Sequence, residues 1–150
     1  MLMSGSPAPR MEFEDTTGRP WRLADHNGEH SVLLYFMRST SCPVCNRHAR
    51  DLVARRNEFD DSNVRVVIAI PEDRETGAAW KAKHGIPFPV LVGGAATPHE
   101  SIGLTRKVFG SMQQSGTLLV DPDGVIRHIH GATVPLNGYD RKGILAAIRG

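Results

Sequence analysis

Two cysteines are all that the chain's 150 residues contain, too few for a fold held together by a disulfide scaffold. Their positions, Cys42 and Cys45, close a loop too short to restrain the unfolded chain much. A bridge between them is therefore redox chemistry rather than a staple. Long hydrophobic runs are also missing: the longest, Val32 to Met37, falls far short of the ~18 apolar residues of a membrane span. Nor does charge of one sign dominate. Eighteen Lys plus Arg against sixteen Asp plus Glu give a formal charge of +2. This small, interspersed excess excludes a basic nucleic-acid or membrane face as the basis of function. Residues 1–10 show no basic segment leading into an apolar one, so no secretory signal is expected. They read as a flexible lead-in, and the expected location is cytoplasmic.

What is present is the composition of an ordinary globular chain, 40% hydrophobic and 23% charged. At this length a domain buries roughly 68–70% of its unfolded surface, and residues 11–150 are expected to form one domain. Turn signals at Thr17-Gly18-Arg19-Pro20 and Asn27-Gly28 bracket Met11 to Asp15 and Trp21 to Ala24, which read as a small N-terminal β-hairpin. Ser31 to Met37 is apolar at nearly every position and suits a central strand covered on both faces. From Pro43 to Phe59, apolar residues recur near the helical period, and Pro43 fits the first helical position, where its missing N–H costs nothing.

A second strand, Asn63 to Ile70, leads into a helix running through Lys83 and stopping at Gly85. Phe88 to Val92 is a short strand, and Pro98 to Phe109 an irregular, partly helical connection. Gly116 to Val120 and Val125 to His130 flank the turn Asp121-Pro122-Asp123-Gly124 and form a hairpin. Tyr139 to Ile148 is a closing helix. The fold class is α/β, with a mixed sheet flanked by helices and the N-terminal hairpin as an extension.

The chemistry lies in Cys42-Pro43-Val44-Cys45. A thiol in the first turn of a helix faces unpaired backbone N–H groups and the positive end of the dipole, and both favour the thiolate. Three residues further on, the second sulfur is placed to attack a bond made to the first and release an intramolecular disulfide. One cysteine is nucleophile and the other resolver, in an order that spacing does not decide. The same four residues also occur as half of a zinc site or as inert core thiols. Cys42, Cys45 and His48 offer at most three local ligands where a structural zinc needs four, so no metal is expected.

Other residues carry a bland reading beside the functional one. His48, one turn beyond Cys45, either orients a thiolate or packs in the core. Arg38 and Arg47 either act on the thiols or belong, with Arg50, Arg55 and Arg56, to a solvated helix face. His128 and His130 point the same way along a strand and suit a metal pair, although a solvated sheet face is the simpler reading. Trp21 and Trp80 are read as anchors in the core or at its rim.

At these residues the chain resembles the alkyl hydroperoxide reductase and thiol-specific antioxidant group, the peroxiredoxin-like or redoxin family, over Met11 to Gly150. The family's P-x-x-x-T-x-x-C stretch follows its first core strand. Here Arg38-Ser39-Thr40-Ser41-Cys42-Pro43-Val44-Cys45 occupies that place after Leu34-Tyr35-Phe36-Met37. In that register Cys45 takes the peroxidatic position, Cys42 replaces the Thr and Arg38 the Pro. Asp15-Thr16-Thr17-Gly18 and Leu118 through Arg127 also match. The resemblance implies a thioredoxin-like fold and the candidate supporting residues Arg38, Thr40, Pro43, His48 and Ser115. Ser115 stands where peroxiredoxins carry an Arg and thioredoxin-like reductases a cis-Pro, and a hydroxyl cannot supply a guanidinium's charge or fork.

The expected function is a thiol-dependent oxidoreductase that reduces hydroperoxides through a Cys42/Cys45 dithiol-disulfide cycle, with no cofactor. In the thioredoxin pattern Cys42 attacks, which suits a disulfide substrate; in the peroxiredoxin register Cys45 attacks peroxide. Thiol-disulfide exchange on protein disulfides and a non-catalytic redox-sensing module are the alternatives. The expected partners are the hydroperoxide or disulfide substrate and a thioredoxin-like or low-molecular-weight thiol reductant, with no nucleic acid and no membrane. A homodimer is among the assemblies the resemblance implies.

Overall fold

Residues 3–92, 115–132 and 139–149 are described by a computed structural model. The N-terminal hairpin pairs β1 (Glu12–Asp15) with β2 (Pro20–Arg22). The second arm is shorter than Trp21 to Ala24, because the chain turns after Arg22 into a 3-10 turn, Leu23–His26. That turn buries Leu23, an apolar position that alternation alone reads as strand. Next come β3 (Ser31–Phe36) and α1 (Pro43–Ala54), which is followed at once by α2 (Arg56–Asp61). The single helix expected from Pro43 to Phe59 is thus broken at Arg55, whose backbone (φ −99°, ψ 10°) leaves the helical region. The break re-aims the second segment while keeping Phe59 buried, so the apolar period survives it.

The remaining elements are β4 (Val64–Ala69), α3 (Arg74–His84), β5 (Val90–Val92), β6 (Ser115–Val120), β7 (Ile126–Ala132) and α4 (Arg141–Arg149). Asp73 caps α3 by accepting the Thr76 N–H at 2.8 Å. The same helix stops at Gly85, whose φ of 60° is the left-handed conformation that glycine tolerates. The connection expected over Pro98 to Phe109 lies outside the described residues.

All seven strands join one mixed sheet in the order β2-β1-β5-β4-β3-β6-β7. The central trio β5-β4-β3 is parallel, and β6 runs antiparallel to β3 with Leu34 opposite Leu118. Alternate residues of β3 feed two cores. Leu33, Tyr35 and Met37 meet the buried faces of the helices through Cys45, Ala49, Leu52, Phe59, Trp80 and Ile144. Val32, Leu34 and Phe36 meet Met11, Trp21 and Leu23 on the other side. A strand buried on both faces reads as a continuous apolar run, as β3 does.

The lead-in differs from the flexible segment expected. Gly5 and Ala8 donate to the carbonyls of Ile126 and Gly124, and Ser6 accepts from Ile126 at 2.8 Å. Residues 3–8 therefore run along the Gly124–Ile126 segment, with Pro7 bridged to Val125.

Parallel pairing brings the carboxyl ends of β3 and β4 to one edge of the sheet, and the antiparallel β6 brings its first residue, Ser115, to that same edge. Open α/β sheets place their reactive groups in the crevice outside such strand ends. The cysteines lie there.

Candidate active site

Strand β3 ends at Phe36 and the Met37 N–H still reaches the Ala69 carbonyl at 2.9 Å, after which residues 38–41 turn the chain into α1. Cys42 is the N-cap of that helix, with extended backbone (φ −71°, ψ 116°) and Pro43 directly behind it. Its sulfur does what a Ser or Asp side chain does at such a position: it accepts the Cys45 N–H, at 3.3 Å. Both cysteines are free thiols. They differ in exposure, since Cys42 retains 6% of its surface and Cys45 none.

The Cys45 thiol is pushed up to about 11, first by burial and next by its hydrogen bond to Cys42, against the Arg38 backbone N–H and the Tyr35 hydroxyl. The Arg38 N–H lies 3.4 Å from the Cys45 sulfur. Arg38 thus acts on the pair through its backbone, and among the described residues its guanidinium has no hydrogen bond or ion pair. Cys45 is the fully enclosed sulfur, whose protonated form burial favours; Cys42, also buried, is the one that accepts a helix N–H.

Two partners fix the loop before the helix. Glu72, just past β4, accepts the Thr40 N–H at 3.0 Å and the Thr40 hydroxyl at 2.6 Å. Asn46 donates to the carbonyls of Thr40 and Cys42, each at 2.9 Å, and accepts the Trp80 indole N–H at 2.8 Å. Thr40 is therefore a clamp point, and Trp80 is a core anchor with a polar end joined to the site. Glu72 and Asn46 had no place among the sequence candidates. Asn46 carried one signal, its position one helical turn past Cys42, whereas Glu72 carried none because its contact spans two strand ends.

His48 does not turn toward the sulfurs. Its Nδ1 lies 2.7 Å from the Tyr35 hydroxyl, and its ring packs on Tyr139 with centroids 4.9 Å apart. Burial, then the positive charge of Arg47, hold it below the ordinary histidine value, with Asp51 opposing. Tyr35 is fully buried and held well above the ordinary tyrosine range by burial and by Cys45. In the sequence Tyr35 reads only as part of the strand before the motif.

Ser115 is completely buried, and among the described residues its hydroxyl has no hydrogen-bond partner. His128 and His130 do share a direction, their rings stacked with centroids 6.4 Å apart. Both are partly buried rather than on a fully solvated face. Among the described residues, no group of three or more His, Cys, Asp or Glu is arranged to hold a metal.

A mixed seven-stranded sheet with a dithiol at the start of the helix after its central strand defines a thiol-redox protein of thioredoxin-like fold. The AhpC/TSA family model matches residues 4–129, and the chain belongs to that family, as a thiol-dependent enzyme. It is 26% identical over 125 residues to peroxiredoxin Bcp of Bacillus subtilis, covering 80% of this chain and 79% of that one. Among solved structures, it matches peroxidoxin BcpB from Mycobacterium tuberculosis with a TM-score of 0.87 at 20% identity, over 99% of this chain and 97% of that one. A reduced 2-Cys peroxiredoxin of Plasmodium vivax matches with a TM-score of 0.81 at 21% identity, over 99% and 95%. These two structures share the fold.

Proposed function

We propose that the protein reduces hydroperoxides through a Cys42–Cys45 dithiol-disulfide cycle in which Cys42 attacks and Cys45 resolves. The observation that carries the order is the contrast between the two buried sulfurs: Cys42 keeps 6% of its surface and accepts the Cys45 N–H, while Cys45 has none and its burial favours the protonated thiol. The thiolate is the nucleophile in such chemistry. This reverses the order that the motif register suggests for peroxide.

In the first step the Cys42 thiolate attacks the outer peroxide oxygen, the O–O bond breaks, and the alkoxide or hydroxide leaves to take a proton from solvent. Cys42 is oxidised to a sulfenic acid. Cys45 then attacks the Cys42 sulfur, the S–O bond breaks, water departs and the disulfide forms. A thioredoxin-like dithiol or a small thiol attacks the Cys42 sulfur, the less enclosed of the two, and returns both cysteines to thiols, being itself oxidised. A reducing compartment such as the cytoplasm suits this cycle.

Ser115 in place of a guanidinium favours a second reading, disulfide exchange with another protein. The test is hydroperoxide turnover with a thioredoxin and its reductase, followed by NADPH consumption. Peroxide-dependent turnover that disappears in both Cys42→Ser and Cys45→Ser is expected. Full turnover in either variant overturns the cycle. No peroxide turnover together with a trapped mixed disulfide on Cys42 in Cys45→Ser establishes the second reading instead.

A further inference from the structure

The geometry points to Tyr35 and His48 as a proton relay for Cys45, carrying its proton from the buried dithiol to solvent on the far side of α1. The inference rests on the resolving role proposed for Cys45. A buried thiol that attacks a sulfenic acid must lose its proton, and none of the groups that fix the loop accepts one: Glu72 is engaged with Thr40 and Asn46 is an amide.

Tyr35 projects from β3 into the helix-side core that also holds Cys45, its hydroxyl 2.7 Å from His48 Nδ1 and near enough to the thiol to oppose the rise of its pKa. His48 in turn lines a surface cavity of about 340 Å³ between α1 and α4. Among the described residues, the titratable or charged groups facing it there are these. Arg47 and Asp51 come from its own helix, Tyr139, Asp140, Arg141 and Lys142 from α4 and the two residues before it, and Tyr35 meets it from β3 on the core side. Asp51 is occupied, accepting the Tyr139 hydroxyl at 2.6 Å and facing Arg55 and Arg141. His48 is thus the titratable acceptor in contact with Tyr35, and the cavity gives it an outlet.

When Cys45 attacks, its proton passes to the Tyr35 oxygen as Tyr35 gives its own to His48 Nδ1. His48 releases a proton to water, and the hydroxide leaving Cys42 takes one from solvent. On reduction the flow reverses: Cys45 leaves the disulfide as a thiolate and is protonated by Tyr35, which His48 replenishes. Tyr35 shares the buried cluster of Cys45 and would exchange the proton with it; His48 acts through Tyr35 and is a positioning and proton-holding residue.

The test is rapid mixing of the reduced protein with hydrogen peroxide, separating the peroxide-dependent oxidation phase from the peroxide-independent condensation phase, in wild type, Tyr35→Phe and His48→Gln. Expected in wild type is a condensation rate that rises with pH through an inflection below the ordinary histidine value of 6.5. Both variants lose that inflection and slow condensation by roughly tenfold or more relative to oxidation. Retention of the inflection, or equal slowing of both phases with a lowered melting midpoint, overturns the relay. If wild type forms no disulfide with peroxide, the hydroperoxide reading fails on its own. The relay is then read from exchange with a small disulfide reagent, where the same loss of inflection supports it and its retention overturns it.

Discussion

Burial separates two chemically identical side chains three residues apart. Cys45 shifts from its ordinary value of 9 to about 11, so folding favours its protonated form. That contribution to stability is fully present below pH 9 and is lost as pH rises through about 11. The reduced wild type is expected to lose melting temperature over this window more steeply than Cys45→Ala, measured by calorimetry against pH. Equal slopes contradict the assignment. Arg38 reaches the dithiol through its backbone N–H, 3.4 Å from the Cys45 sulfur, so Arg38→Gln, which keeps that N–H, is expected to leave the second-order oxidation rate close to that of wild type. At this scale the sequence displayed the dithiol, the N-cap and Pro43, because one helical turn places all three. It did not display Tyr35 or Glu72 as site residues. Their partners lie on other elements, and no local spacing encodes a contact made across strand ends.

Elements were legible wherever the apolar period was long, as in β3, β4 and α3, and illegible where a single residue altered the path. The break at Arg55 leaves Leu52 and Phe59 both buried, so the pattern on either side reads as one helix. Helix α3 bears two expectations. A Cβ at Gly77 would lie 2.7 Å from Ile70 Cδ1 and 3.0 Å from Thr16 Cγ2. Gly77→Ala therefore overpacks the helix against the sheet and is expected to cost roughly 1–3 kcal/mol in denaturant unfolding. Trp80, on the same helix, is tied through Asn46 to the carbonyls of Thr40 and Cys42. In a Trp21→Phe background its fluorescence is expected to change when the dithiol is oxidised. An unchanged spectrum would show that the clamp does not respond to the redox state.

For the whole molecule, the parallel trio follows from the alternation of strands and helices, because a parallel pair needs a crossover between its strands. The flanking order was not available from pattern. Nothing local states that β1 pairs with β5 or that β6 adds beside β3. The lead-in shows the same limit: its Gly, Ser and Pro content resembles a linker, and nothing local states that Gly5, Ser6 and Ala8 bond to residues 124–126. Deleting residues 1–8 is expected to lower the melting temperature without abolishing disulfide formation, since residues 5–8 run along Gly124–Ile126, away from the cysteine edge.

The central claim is the order of attack at the dithiol, and intact-mass analysis after stoichiometric hydrogen peroxide tests it most directly in wild type, Cys45→Ser and Cys42→Ser. The predicted result is a wild type lighter by two hydrogens, a Cys45→Ser protein heavier by one oxygen on Cys42, and a Cys42→Ser protein that reacts no faster than a free thiol. A Cys42→Ser protein that acquires oxygen on Cys45 at the wild-type rate would contradict it.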